Sequence, residues 1–157
     1  MSTINEVTNL EVTDSVAVIT LNSPPVNALS ANVREGLNNG VEAAIKDNAV
    51  NSIVIICDGR TFIAGADIAE IQSISSGEDM MQLLKKANGI IHDFTVLNCT
   101  TIAIIDGACL GGGCELALAC DFRMTSLDDK TQIGLPEVNL GIIPGFGGTQ
   151  RLSRLIG

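Results

Sequence analysis

The stretch TIAIIDGACLGGGCELALACD, residues 101–121, holds three local structures in succession. Thr101 to Ile105 is a short apolar run, and Asp106-Gly107 breaks it. Three consecutive glycines follow, Gly111, Gly112 and Gly113, and an apolar segment from Leu116 to Cys120 then takes up helical character. The pattern reads as a buried strand, a tight turn and a helix with a glycine-rich first turn. The start of a helix leaves backbone N–H groups unpaired at the positive end of its dipole. Glycine lets a ligand oxygen come close to such a backbone. Glu115, two residues beyond the glycines, opens an otherwise apolar segment, where packing gives a carboxylate little reason to be. An anion-binding backbone and an acid/base side chain therefore stand side by side.

Working outward, the same order of elements recurs. Residues 9–13 and 16–21 read as two strands with a turn at Asp14-Ser15, and the Pro24-Pro25 pair ends the second. Ser30 can cap a helix running to Lys46, with Val33, Leu37, Val41, Ala44 and Ile45 in a one-sided stripe; Gly36 and Gly40 weaken it. Residues 52–57, SIVIIC, form a continuous apolar strand, as expected when both faces are covered. A loop to Asp67, a short helix over residues 68–71 and a polar break precede a longer amphipathic helix, residues 78–97. On that helix Met80, Leu84, Ala87, Ile91 and Phe94 share one face. Strands at 122–126 and 132–133, a glycine turn at 145–148 and a helix at 149–156 complete the chain. Strand, turn and helix repeat three times at irregular spacing, which points to a single α/β domain over residues 1–157 with substantially parallel strands.

The totals exclude some classes of function. Nine basic against 18 acidic residues give a net charge of -9, against non-specific nucleic-acid binding or attraction to anionic lipid. No apolar run approaches the roughly 18 residues of a membrane span, and MSTINEVTN has no basic, apolar secretory signal. The five cysteines lack a C-x-x-C arrangement, and His92 is the single histidine. That set argues against a metal site and for buried, reduced thiols in an intracellular protein. A catalytic cysteine would need His92, which falls on a helix surface.

Two further features carry chemistry. Gly65-Ala66-Asp67 follows an apolar run and opens a helix, as Leu110 to Gly113 does. Either glycine turn alone is ordinary strand-to-helix chemistry; together, two N–H groups from separate turns can converge on one oxygen as an oxyanion hole. Glu137, flanked by apolar residues in Gly134-Leu135-Pro136-Glu137-Val138, joins Glu115 as a second candidate acid/base group. Burial would raise either pKa towards neutral. Plainer readings stand beside these: Glu137 as a surface turn residue, Glu115 as a charge satisfying a helix dipole, Asp67 as a helix cap. Phosphate-loop patterns are missing: there is no G-x-x-x-x-G-K-[ST], and the run 145–150 lacks the last glycine of G-x-G-x-x-G.

Four motifs in order carry a resemblance: Leu21-Asn22-Ser23-Pro24-Pro25-Val26-Asn27-Ala28-Leu29; Phe62-Ile63-Ala64-Gly65-Ala66-Asp67-Ile68; Asp106-Gly107 through Asp121; and Gly134-Leu135-Pro136-Glu137 through Gly147-Gly148-Thr149-Gln150-Arg151-Leu152. From about residue 7 onward the chain resembles the crotonase (enoyl-CoA hydratase/isomerase) superfamily, and PPVNALS looks like the N-terminal hydratase part of multifunctional fatty-acid oxidation enzymes. The resemblance implies a spiral of ββα units, assembly as a homotrimer or hexamer, and acyl-CoA as substrate with no separate cofactor. By motif position Ala66 and Gly112 would supply the oxyanion-hole N–H groups. Glu115 would activate the water that adds to Cβ, and Glu137 would deliver the proton to Cα. Ala64, Gly65, Asp67, Ile68 and Gly111 would contact substrate or coenzyme A, with residues 64–68 lining the adenine pocket. Such proteins are cytoplasmic in bacteria or lie in a fatty-acid-oxidising organelle in eukaryotes.

Family members continue well past the length of this chain, so a C-terminally incomplete form of the fold is expected. The expected activity is hydration of 2-enoyl-CoA thioesters in β-oxidation. Δ3,Δ2-enoyl-CoA isomerisation using Glu137, or a non-catalytic acyl-CoA-binding or assembly role, are the alternatives.

Overall fold

The computed structural model describes all 157 residues. Its first three strands, β1 (Ser2–Asn5), β2 (Thr8–Thr13) and β3 (Val16–Leu21), are antiparallel neighbours. α1 (Ala31–Ile45) follows, capped by the Ser30 side chain, which accepts from the Val33 N–H. β4 (Ser52–Cys57) and β5 (Thr61–Ile63) lead into α2 (Ile68–Ser73) and α3 (Gly77–Val96). β6 (Thr100–Ile105) and β7 (Ala108–Leu110) lead into α4 (Gly112–Ala119). β8 (Phe122–Thr125), β9 (Gln132–Gly134) and a 3-10 turn at Glu137–Leu140 precede α5 (Gly148–Ile156).

The strands divide between two sheets. A six-stranded sheet runs β1-β2-β3-β4-β6-β8, with the β3-β4, β4-β6 and β6-β8 pairs parallel. A three-stranded parallel sheet runs β5-β7-β9. From β4 onward each unit sends its first strand to the large sheet and its second to the small one. The chain thus winds as a spiral of ββα turns, as the four motifs imply.

Five elements differ from the sequence reading. The sequence reading begins its strands at residue 9 and assigns none to the polar N-terminus; β1 is an edge strand with two exposed and two half-buried residues, so no apolar alternation marks it. β5 was read as loop and β7 as part of a turn. Both are three residues long, too short to show a period, and only pairing with each other and with β9 defines them. α2 extends to Ser73, beyond the expected residue 71. α4 begins at Gly112, so two of the three glycines and Glu115 lie inside it.

The core lies between the large sheet and the helices. Ala17, Ile19 and Leu21 of β3, Ile53 and Ile55 of β4, and Ala103 and Ile105 of β6 are buried against it. From the helices come Val33, Leu37, Val41 and Ala44 of α1, Ala87, Ile91 and Phe94 of α3, and Leu116 of α4. Full burial of each large side chain stabilises the fold by about 1.5–3 kcal/mol. Ile45 leaves the α1 stripe and is 48% exposed; Gly36 and Gly40 take places on the buried face instead. There they let α1 approach Thr8 and Ile19.

The opposite face of the large sheet is thinly covered. Val54 and Ile56 are only half-buried, where coverage of both faces was expected. Ile104 of β6, and Phe122 and Met124 of β8, are exposed.

Both ends of the stretch 101–121 are tied together. One carboxylate oxygen of Asp121 accepts from the Thr101 N–H at 2.8 Å and from its hydroxyl at 2.9 Å. The Thr101 hydroxyl oxygen accepts from the Asp121 N–H at 2.9 Å. This closed ring fixes where β6 begins relative to the end of α4.

Candidate active site

The two glycine turns meet. Gly65, after β5, has φ +109°, and Gly111, after β7, has φ +52°, values that L side chains adopt only with strain. A Cβ on Gly111 would lie 3.6 Å from the Gly65 Cα and 3.0 Å from Glu137 Oε1. The parallel pairing of β5 with β7 therefore brings Ala66 and Gly112, the residues just past each turn, to one place. Gly112 is the first residue of α4, so helix geometry leaves its N–H without an intrahelical acceptor. Glycine is required at the next position for another reason: a Cβ on Gly113 would collide with the Ile63 carbonyl oxygen.

A third segment braces the first turn. The Leu29 N–H donates to the Gly65 carbonyl at 2.8 Å. Leu29 is placed in turn by Asn27, buried with φ +49°. The Asn27 amide oxygen accepts from the Ser23 N–H, and its NH2 donates to the carbonyls of Asp58 and Thr61. This role for the PPVNAL segment was not legible from residue types alone.

Glu115 sits in the first turn of α4 and is only 1% exposed. Its Oε1 accepts two backbone hydrogen bonds, from Phe146 at 2.8 Å and from Gly148 at 2.7 Å. Gly148 is the first residue of α5, so the carboxylate also faces the positive end of that helix. Burial pushes the Glu115 pKa above the ordinary carboxylate value; the two N–H groups and Arg151 oppose the rise, and nearby Glu137 adds to it.

Glu137 opens the 3-10 turn after β9 and is 8% exposed. The Gly111 N–H holds this region by donating to the Gly134 carbonyl at 2.9 Å. Glu137 Oε2 is buried with no hydrogen-bond partner. A buried, unpaired carboxylate oxygen is costly, which marks it as a group kept for something other than stability.

These groups border one cavity of about 310 Å³. Ala64, Gly65, Ala66, Ile68, Gly111, Gly112, Glu115 and Glu137 all line it, with Met80, Leu84, Ile142 and Phe146 among its apolar walls. Asp67 does not reach it. Its carboxylate caps α2 instead, accepting from the N–H groups of Ala69 at 3.0 Å and Glu70 at 3.2 Å, although the residue borders a shallower adjoining groove with Ala64, Ala66 and Ile68. A larger groove of about 640 Å³ between α1 and α3 is lined mainly by polar and charged side chains, and none of the candidates borders it.

The arch from Phe146 to Gly148, which holds Glu115, has no role in the sequence reading. The Gly147-Gly148 pair at a helix start, preceded by an aromatic residue, was the available sign; its partner lies more than thirty residues away, at Glu115. His92 is exposed on α3, as expected. Cys109, Cys114 and Cys120 are buried free thiols, while Cys57 and Cys99 are half-buried.

Residues 11–157 match the family model described as enoyl-CoA hydratase/isomerase. The chain therefore belongs to the enoyl-CoA hydratase/isomerase family. It is 46% identical over 149 residues to a probable enoyl-CoA hydratase of Bacillus subtilis (strain 168), covering 95% of this chain and 57% of that protein. Against the fatty acid oxidation complex subunit alpha of Shewanella oneidensis it is 39% identical over 147 residues, 92% of this chain and 21% of that one. Among solved structures, an enoyl-CoA hydratase from Bacillus anthracis superposes with a TM-score of 0.88 at 35% identity, over 97% of this chain and 59% of that one. The chain thus has the crotonase-type α/β fold in part, spanning little more than half the length of its hydratase relatives.

Proposed function

We propose that the protein is an enoyl-CoA hydratase that adds water across the 2,3 double bond of 2-enoyl-CoA thioesters. The observation that carries this reading is the meeting, in one cavity, of two buried glutamates with two abutting glycine turns. The N–H groups of Ala66 and Gly112 hold the thioester oxygen and stabilise the charge that develops there as an enolate. Glu115 takes a proton from water as the water oxygen bonds to Cβ. Glu137 delivers a proton to Cα as the double-bond electrons move toward the thioester. A base whose pKa is lifted toward neutral is well matched to that proton transfer. Ala64, Gly65, Ile68 and Gly111 line the bound thioester and Asp67 the adjoining groove, with coenzyme A entering as part of the substrate. Assembly as a homotrimer or hexamer belongs to the same proposal, since it would cover exposed apolar residues such as Phe122 and Met124.

Two carboxylates on the cavity favour hydration over double-bond isomerisation, for which Glu137 alone would suffice. The test follows crotonyl-CoA by loss of its enoyl absorbance. Glu115→Gln and Glu137→Gln are each expected to lower kcat at least a hundred-fold, within the range general acid–base catalysis contributes, about 10²–10⁴. Undiminished activity in both would sink the mechanism, and turnover of 3-enoyl-CoA without hydration would favour the isomerase.

A further inference from the structure

Arg151 lies on α5, outside the cavity lining, yet it is built against the arch that grips Glu115. Its guanidinium donates to the Phe146 carbonyl at 2.8 Å. Its own N–H donates to the Gly147 carbonyl at 3.0 Å. The guanidinium lies over Gly147, where φ is +91° and a Cβ would collide with Nη1. No carboxylate comes within ion-pair distance of it; the one salt bridge of the molecule joins Arg34 to Glu70. A half-buried arginine without an acidic partner is thus committed to one short loop. That loop's other side presents the N–H groups of Phe146 and Gly148 to Glu115 Oε1.

We propose that Arg151 is a positioning residue for Glu115: it clamps the Phe146–Gly148 arch from behind, so that both N–H groups stay aimed at Oε1 and leave Oε2 to act. The proposal rests on the hydratase reading for its kinetic consequences, though not for its geometry. The charged groups acting on Glu115 are Glu137 across the cavity and Arg151 behind the arch. The adjacent Cys114 thiol, pushed up to about 11, stays neutral. Removing the cation leaves burial and Glu137 less opposed, so Glu115 should hold its proton to higher pH.

The test uses Arg151→Met, which keeps the aliphatic bulk, and Arg151→Gln, which keeps a hydrogen-bond donor and serves if the first fails to fold; Arg151→Lys restores the charge. Carbon-13 NMR titration of the Glu115 carboxyl reads the geometry without any catalysis. Its midpoint should rise in the neutral variants and return toward wild type in Arg151→Lys. In crotonyl-CoA hydration the neutral variants should lose about ten- to a hundred-fold in kcat, the scale of a small misplacement of a catalytic group. KM should change little, and the acid limb of the pH profile should move to higher pH. Neutral variants that fold, titrate and turn over like wild type overturn the proposal. A wild-type protein that does not hydrate crotonyl-CoA fails the hydratase reading instead, and the titration alone then decides the role of Arg151.

Discussion

Glu115 has one oxygen held by two amides and lies almost wholly out of water. Burial is the largest influence on its pKa and holds it above the ordinary value of 4.5. An acid that releases its proton less readily when folded contributes fully to stability only below its unfolded pKa. That contribution fades as pH rises through the folded pKa. Glu115→Gln, whose amide oxygen can still accept both N–H groups, should therefore unfold at a higher temperature than wild type at neutral pH. The gap should close on acidification below about pH 4, where the wild-type carboxyl is neutral in both states. Calorimetric scans across pH check this, and a wild type more stable than the variant at neutral pH would contradict it. At this scale both glutamates were legible, because a carboxylate among apolar residues needs an explanation. Their hydrogen-bond partners were not, because backbone N–H groups carry no residue identity.

Elements show the same locality limit in their glycines. By propensity, any glycine within a helix costs about 1 kcal/mol against alanine. Geometry reverses the sign at two sites. A Cβ on Gly36 of α1 would collide with the Thr8 side chain, and one on Gly113 of α4 with the Ile63 carbonyl, which belongs to the backbone and cannot rotate away. Gly89 of α3 faces open space. Gly36→Ala and Gly113→Ala should each lower stability by about 1–3 kcal/mol through overpacking, Gly113→Ala the more. Gly89→Ala should raise it by up to about 1 kcal/mol. Thermal melts of the three variants separate the effects, and a uniform gain would show that helix propensity outweighs close packing here. The long elements β3, β4, β6, α1 and α3 were readable because the helices repeat apolar residues at a helix period and the strands are apolar runs bounded by turn residues. β5 and β7 offered three residues each, and their pairing is with strands far away in the chain.

At the scale of the whole molecule, the cysteines report on the integrity of the core. Burial pushes the Cys109 and Cys120 thiols up to about 12, and Cys114 to about 11. They are thus both shielded and protonated under ordinary conditions, and the thiolate is the reactive form. With a thiol-labelling reagent on the native protein, half-buried Cys99 should react first. Cys109, Cys114 and Cys120 should label only at the rate of opening of the core, and all at once in denaturant. Rapid native labelling at Cys109 or Cys120 would mean that the sheet-to-helix core opens far more readily than its packing implies. The thinly covered face of the large sheet is the other property of this scale. A continuous apolar run such as SIVIIC announces burial but not by what, so the expectation of two covered faces met only one.

The sequence by itself determined the α/β class, the long strands and helices, the two glutamates and the glycine turns, because each rests on a local property: a hydrophobic period, a capping residue, or a charge in an apolar setting. Four ordered motifs were enough to place the chain within its family. Only the tertiary structure decided that the turns abut, that Glu115 and Glu137 border one cavity, and that Arg151 backs the arch holding Glu115. These relations join residues tens of positions apart, and chain winding, through strand pairing within each of the two sheets, is what brings them together.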